Sequence, residues 1–433
     1  MINFDRTYFY LITLIIISFG VSFSYSSLKL ENYSQPPTFG GSDQLDYNAM
    51  AYAFYKKSIP GIYITDEYKE SFTNFSNLNN GYIKRVLEAK NNELRTYAYR
   101  PLLYPIVLGI SYKIFGYDFA VARYLNVFLI ILTSVMIFYI IKSYTNPFVA
   151  FLGALSFVIF PNVVKYSNLL LSEILVVFMT VLFSFLMLCS IRNYNSNLFS
   201  LLLGLSLGFL VLSKQIFLYI SIPIIILLLY YYYKKNRNTI GYFIMPYLII
   251  IFSWFSYNIG ITADIDLKGG TSGWHDMPSA YSLGYINGEN RFKIREDIFN
   301  NYEKLNNIKI KGDIERSIYG KKIFFEMIKE KDFLVNLPKF IAFKLNGDLS
   351  SNYYTYWILF ILSLISYVYL YYKKSIDFFI SSILIIVLGN IGIVSLTFFD
   401  SGRLISPVLP LFIILISIFI NFILFKEKHE SND

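Results

Sequence analysis

Residues 100–116, RPLLYPIVLGISYKIFG, decide how many times this chain crosses a membrane. The stretch from Pro101 to Phe115 is apolar but shorter than the ~20 residues that a helix needs to span a bilayer. Ten longer apolar runs surround it, at about 7–26, 119–142, 147–165, 169–191, 198–213, 216–233, 240–260, 353–372, 377–399 and 404–425. Two polar stretches break the series, from Ser27 to Arg100 and from about Ile261 to Asn352.

Of the 433 residues, 55% are hydrophobic and only 15% charged, with a mean hydropathy of +0.48. A soluble chain of this length would not hide so much apolar surface. The expected class is therefore an all-α polytopic membrane protein. The net charge of +9 does not indicate nucleic-acid binding, because much of the basic charge sits in short clusters beside apolar runs. Cys189 is the only cysteine, so no intrachain disulfide forms, and His275 and His429 alone exclude a histidine-rich metal site. The first run lacks a small-residue cleavage site at the usual spacing and reads as a signal anchor.

Charge sets the orientation. With the N-terminus in the cytoplasm and Pro101–Phe115 not crossing, Lys142, Arg192, Lys234-Lys235-Asn236-Arg237, Lys373-Lys374 and Lys426/Lys428 all fall inside. That arrangement obeys the positive-inside rule. It gives ten spans, seven before the second polar stretch and three after it, and puts both polar stretches outside. If Pro101–Phe115 crosses as an eleventh span, the assignments before the second loop invert. The chain then divides into three parts: a core over 1–260 that includes a first outer loop at 27–118 with interfacial helices, a second outer loop at 261–352, and C-terminal helices with a cytoplasmic tail over 353–433. Within the first loop, Asp43–Lys57 reads as an amphipathic surface helix and Leu78–Leu94 as a weaker one.

The residues able to carry chemistry lie in these outer stretches. Asp43 and Asp46, three apart on a helix, share one face. Together they suit a divalent cation or a general base, and an N-cap is the plainer reading. Arg100 before Pro101 suits a lipid phosphate, since a guanidinium binds phosphate oxygens in pairs. Interfacial snorkelling competes with that role. The second loop's GGTSGWHDMPSAYSLGYING, residues 269–288, offers Trp274 and His275 to a sugar or acceptor pocket, or else is a well-turned structural loop. The basic amphipathic stretches Lys304–Lys311 and Lys321–Lys331 read as membrane-surface or solvent faces.

Asp43 followed four residues later by Tyr47, then an alanine-containing helix, resembles the first outer loop of GT-C type glycosyltransferases. These include the protein O-mannosyltransferases and the lipid A aminoarabinose transferases. RPLLYPIVLGISYKIFG resembles the next family element. So, in order, do AVARYLN with Arg123 and Asn126, NLLLSEIL with Glu173, LLLGLSLGFLVLSKQ with Lys214, PYLIIIFSWFSYN with Trp254 and Asn258, and DSGRLISPVLP with Arg403, Pro407 and Pro410. The usual adjacent acidic pair is here Asp43-Gln44, with Asp46 displaced, and Lys214-Gln215 stands where the family often has Arg-Pro or Lys-Gly.

The resemblance implies a GT-C-like fold and a hexosyl- or pentosyltransferase. It would move a sugar from an undecaprenyl or dolichyl phosphate carrier to a lipid, glycan or protein acceptor at the outer face of the cell membrane. It implies Asp43 as acid/base, Glu173 near the active cavity and Arg100 toward the donor phosphate. Asp46 stands beside Asp43 as a further catalytic candidate, and Lys214 and Arg403 either bind the phosphate or pair with Glu173 and Asp400 respectively. Tyr47, Tyr104, Trp274 and His275 fall to the substrate pocket. A divalent cation, if used, falls to Asp43 and Asp46. Competing readings are a polysaccharide polymerase or O-antigen ligase, whose functional loop comes later in the chain, and a lipid-linked sugar transporter, which should carry inverted repeats. No repeat is visible in the sequence.

The topology is tested by single cysteines at Asp118 and Lys142 in a Cys189→Ser background. Labelling from opposite sides is expected. Labelling of both from the same side contradicts the ten-span arrangement, because the run at 119–142 must separate them.

Overall fold

A computed structural model describes residues 6–29, 34, 43–73, 94–95, 100–262, 274, 276–310, 312–350, 354–397 and 405–426. Helix α1 (Arg6–Lys29) opens the chain, and α2 (Asp43–Lys57), α3 (Asp66–Thr73) and α4 (Leu103–Phe115) come before the main bundle. Strands β1 (Ile62–Tyr63) and β2 (Leu94–Arg95) pair antiparallel, with Ile62 opposite Arg95. The main bundle continues with α5 (Phe119–Lys142), α6 (Pro147–Val158), α7 (Pro161–Ser167), α8 (Glu173–Arg192), α9 (Asn197–Ser213), α10 (Ile216–Lys235) and α11 (Thr239–Thr262). The second loop holds α12 (Met277–Ala280), α13 (Leu283–Ile286), α14 (Arg291–Asn306), α15 (Gly312–Met327) and α16 (Lys331–Ser350). Helices α17 (Tyr354–Tyr372), α18 (Phe378–Thr397) and α19 (Leu409–Asn421) complete the bundle, α19 being preceded by a 3-10 turn at Ser406–Val408.

The bundle has two chemically distinct ends. At one, Lys142 donates to Thr7, Arg192 to the Ser143 carbonyl, Tyr144 to Asp377, and Asn146 to Asn421. Lys234, Lys235 and Arg237 follow α10 to this lysine end. At the other, Ser34 bonds Asp118, Tyr257 bonds the Pro60 carbonyl, and Gln44 accepts from the Leu170 amide. Lys142, Arg192, Lys234, Lys235 and Arg237 thus share one end.

Among the described residues, seven helices are long and apolar enough to cross a membrane, or eight if α6 and α7 form one span. The run at 147–165, expected to be continuous, is bent by 57° between α6 and α7. Pro161 begins α7 and has no amide to continue the α6 ladder. At 17 residues, α9 is short for a spanning helix. It packs closely on α11. Gly204 and Gly208, spaced G-x-x-x-G in LLLGLSLGFL, face that neighbour. A Cβ at Gly204 would overlap the Phe243 carbonyl oxygen, and one at Gly208 would come within 2.9 Å of Ile250. Small residues at this spacing let membrane helices approach backbone to backbone.

Helix α4 starts and ends at the same end of the bundle. Tyr104 in its first turn meets Tyr47, Lys113 in its last turn reaches Ser58, and Asp118 just beyond caps α5. It lies along α2, and Ile110, Ile114 and Phe115 stay exposed. Helix α2 has the expected bounds but is not a one-faced surface helix, because every residue from Gln44 to Ala53 except Asp46 is buried. Gly109 explains the tight contact: a Cβ there would come within 2.8 Å of the Ala51 carbonyl oxygen. Asn48 is the polar centre of this interface. It donates to the hydroxyls of Tyr68 and Tyr117 and accepts from Tyr112. Burial pushes the Tyr112 and Tyr117 phenols up, so both remain hydrogen-bond donors. The Leu78–Leu94 expectation lies largely outside the described residues.

The second loop builds its own small cores. One gathers Met277, Ala280, Tyr281 and Phe340; another gathers Phe299, Ile310 and Ile323. Arg316 binds Glu296 through two bonds of 2.9 Å.

The glycine interface is tested by thermal unfolding in detergent. Gly204→Leu should destabilise by about 1–3 kcal/mol, the usual cost of overpacking. Gly392→Leu, where a Cβ meets open space within a helix, should not lower the melting temperature. Equal melting of the two variants contradicts the close α9–α11 contact.

Candidate active site

The N-terminal turn of α2 presents Asp43 and Asp46 on one face, as their spacing requires. Between them lies Arg100, the residue that precedes the proline-rich start of α4. Its Nη2 donates to Asp43 Oδ1 at 2.5 Å and to Asp46 Oδ2 at 3.0 Å, and its Nε donates to Asp46 Oδ2 at 3.1 Å. The three side chains are only partly open, with 14% of Arg100, 23% of Asp43 and 15% of Asp46 exposed. Such pairing in a partly dry setting is stronger than at a free surface. Asp43 is the more accessible carboxylate, and Asp46 accepts two of the three guanidinium bonds.

One turn further along α2, Tyr47 is buried beneath this group. Its ring meets Tyr104 edge-on, with centroids 5.4 Å apart, and the Arg100 guanidinium stands 6.0 Å from its centroid. Its hydroxyl bonds Ser172 at 3.2 Å. Ser172 immediately precedes Glu173, the first residue of α8 and only 1% exposed. Lys214, at the C-terminal end of α9, comes within 3.9 Å of Glu173. Burial drives the Tyr104 phenol well above its ordinary value, and the Glu173 charge pushes it further the same way. Tyr104 is therefore a neutral hydroxyl beside a carboxylate.

The turn at 168–172 is held from two sides. Arg123 Nε donates to the Asn168 carbonyl, and Asn126 donates to the Ser167 and Leu169 carbonyls at 3.3 and 2.8 Å. From the opposite side Gln44 accepts the Leu170 amide at 2.8 Å. This role for Gln44 is not legible in the sequence, where it stands only as a departure from an acidic pair. Being buried and aimed at a backbone amide, it fixes α2 against the turn that leads into Glu173.

The fold therefore brings together Asp43, Asp46, Tyr47, Arg100 and Tyr104, and joins them through Ser172 to Glu173 and Lys214. It does not bring Trp274 to them by any described contact. Trp274 packs against Phe324 and Phe325 in the second loop, and neighbouring Asp276 pairs with Arg295 at 3.1 Å. His275 and Arg403 lie outside the described residues. Among the described residues no three His, Cys, Asp or Glu side chains gather to hold a metal. A divalent cation here would have Asp43 and Asp46 as donors and would compete with Arg100 for them.

Gln44→Ala should leave the buried Leu170 amide without its acceptor, a loss of about 1–3 kcal/mol. Melting in detergent and hydrogen exchange at Leu170 read it. Fast exchange in Gln44→Ala with protection retained in Gln44→Glu is expected. Unchanged protection in Gln44→Ala contradicts the brace.

Residues 99–257 match the family model described as dolichyl-phosphate-mannose-protein mannosyltransferase. No curated protein matches the sequence. Among solved structures, the apo oligosaccharyltransferase of Archaeoglobus fulgidus aligns over 98% of this chain and 51% of its own, at 13% identity and a TM-score of 0.56. The same enzyme with zinc and sulfate aligns over 96% and 50%, at 11% identity and 0.55. Its complex with an inhibitory peptide and a dolichol-phosphate aligns over 99% and 52%, at 13% identity and 0.52. The chain spans about half the length of these archaeal chains. It has the GT-C membrane glycosyltransferase fold, and its residues 99–257 carry the mannosyltransferase-family match.

Proposed function

We propose that this protein transfers a sugar from a polyprenyl phosphate to an acceptor, with the reaction at the carboxylate end of the bundle, on the outer face. The observation that carries this reading is the joining of Asp43, Asp46 and Arg100 at the start of α2, beside the apolar face of α4. The prenyl tail would stay in lipid while the sugar phosphate meets the charged group at the boundary. The positive-inside rule supports the orientation, since the lysine end then faces the cytoplasm. The dolichol-phosphate in the archaeal complex supports a polyprenyl phosphate as donor carrier.

In this mechanism Asp43 takes the proton of an acceptor hydroxyl or amide. The acceptor atom bonds the anomeric carbon as that carbon's bond to the phosphate oxygen breaks. The polyprenyl phosphate leaves with the bonding pair, its charge met by cationic side chains. Asp46 holds Arg100 in place, and Arg100 meets the phosphate in competition with the carboxylates. Lys214 and Arg403 are the further cations assigned to the phosphate. The inhibitory peptide in the archaeal complex favours a protein acceptor over a lipid or glycan one. Metal use is read by EDTA: retained turnover assigns neutralisation to Arg100, and lost turnover restored by a divalent cation assigns it to a metal at Asp43 and Asp46.

Asp43→Asn should abolish transfer in folded, purified protein, whereas Asp46→Asn should lower it less. Near-normal turnover in Asp43→Asn contradicts the proposed base. Arg100→Ala should weaken binding of sugar-free polyprenyl phosphate by roughly ten- to a hundredfold, the loss of a charge-assisted contact of ~1.5–3 kcal/mol. Arg100→Lys should restore part of it. Parental affinity in Arg100→Ala assigns the phosphate to other cations.

A further inference from the structure

At the lysine end, away from the site described above, the outer surface between α9 and α11 carries a groove of about 370 Å³. Leu201, Asn238, Gly241, Tyr242, Met245 and Pro246 line it. Gly241 is exposed in this lining, and a Cβ added there would meet nothing within 4 Å. The groove continues along α11 as a stripe of exposed apolar side chains. Tyr242, Met245, Ile249 and Phe252 follow one another on one face, with Phe252 63% exposed. That stripe covers ~15 Å of helix, about half of a bilayer core.

Three cations come just before Asn238, a residue of the lining. They are Lys234, Lys235 and Arg237, all exposed. They lie against aromatic rings: Arg237 stands 4.1 Å from the Tyr233 centroid, and Lys235 5.9 Å from that of Tyr194. An apolar groove on a membrane helix, preceded in the chain by a three-cation cluster, matches a molecule with an anionic head and an aliphatic tail. We propose that this groove seats an anionic glycerophospholipid of the leaflet at the lysine end. Its phosphate would lie at Lys234, Lys235 and Arg237, and one acyl chain beside Gly241 and Met245. Charge complementarity selects the head group, since basic residues near an anionic bilayer surface are attracted to it. Because Gly241 lines the groove, a larger side chain there separates a seat from the general attraction that any basic cluster has for such a surface.

The test is native mass spectrometry of the full chain in detergent, after incubation with equal amounts of dioleoyl phosphatidylglycerol and dioleoyl phosphatidylcholine. The parent should retain phosphatidylglycerol several-fold over phosphatidylcholine. Gly241→Leu places a larger side chain in the groove, its Cβ meeting no neighbour, and leucine is the better helix former, so the variant should fold and lose the adduct. The triple change Lys234→Gln, Lys235→Gln, Arg237→Gln should retain both lipids alike. Equal retention of the two lipids by the parent overturns the proposal. So does a Gly241→Leu protein that keeps phosphatidylglycerol as the parent does, or a parent that flies as a lipid-free dimer.

Discussion

The guanidinium of Arg100 is the constraint on which the carboxylate end of this molecule is built. Asp43 and Asp46 stand on one helix face, where two like charges would repel each other and resist removal from water. Arg100 binds both, so that α2 can be buried almost all round by α4 and the start of the main bundle. Because Arg100 is followed at once by the proline that opens α4, the same contact fixes where that helix begins. Gly109 then lets α4 lie against the α2 backbone, and Asn48 satisfies three tyrosine hydroxyls in the interface between them. Electrostatics, packing and polar satisfaction all require the same placement of one arginine.

This arrangement gives a second charged group beneath the first. Tyr47 bridges the Arg100 group and Ser172, and Ser172 leads into the buried Glu173 and its partner Lys214. The turn that carries Ser172 is clamped by Asn126 and Arg123 on one side and by Gln44 on the other. A side chain with chemistry to do must be held to within a fraction of an ångström by neighbours with no chemistry of their own. Gln44, Arg123 and Asn126 fit that description, since each bonds the backbone of that turn.

Much of the fold was legible in the sequence because lipid makes one demand on every span: enough apolar residues to cross, and basic residues at one end. Helices fall within all ten apolar runs, but among the described residues only seven of them, or eight with α6 and α7 taken as one span, are long and apolar enough to cross, and Pro101–Phe115 holds a shorter helix. The bend at Pro161 falls inside a run whose hydropathy is continuous, so composition alone cannot reveal it. Helix α2 reads as amphipathic because polar residues stand between Leu45, Met50, Ala53 and Phe54, yet Tyr47, Asn48, Ala49, Ala51 and Tyr52 are buried as well. Asp43, Asp46 and Arg100 were legible as separate candidates. Their mutual contact was not, because 54 residues separate Asp46 from Arg100 and no local pattern encodes a long-range pair. The glycines at 204 and 208 did carry a local signal, the small-residue spacing, within a run otherwise noted for Lys214.

A cryo-electron microscopy map of the full chain with polyprenyl phosphate, recorded in lipid nanodiscs, puts the proposed site to the test. Phosphate density within hydrogen-bonding distance of Arg100, beside Asp43 and with the prenyl chain leaving along the exposed face of α4, is the expected result. Phosphate density elsewhere, with the Arg100 bonds to Asp43 and Asp46 unchanged, would make these three residues a structural clasp and contradict the assignment of the reaction to them.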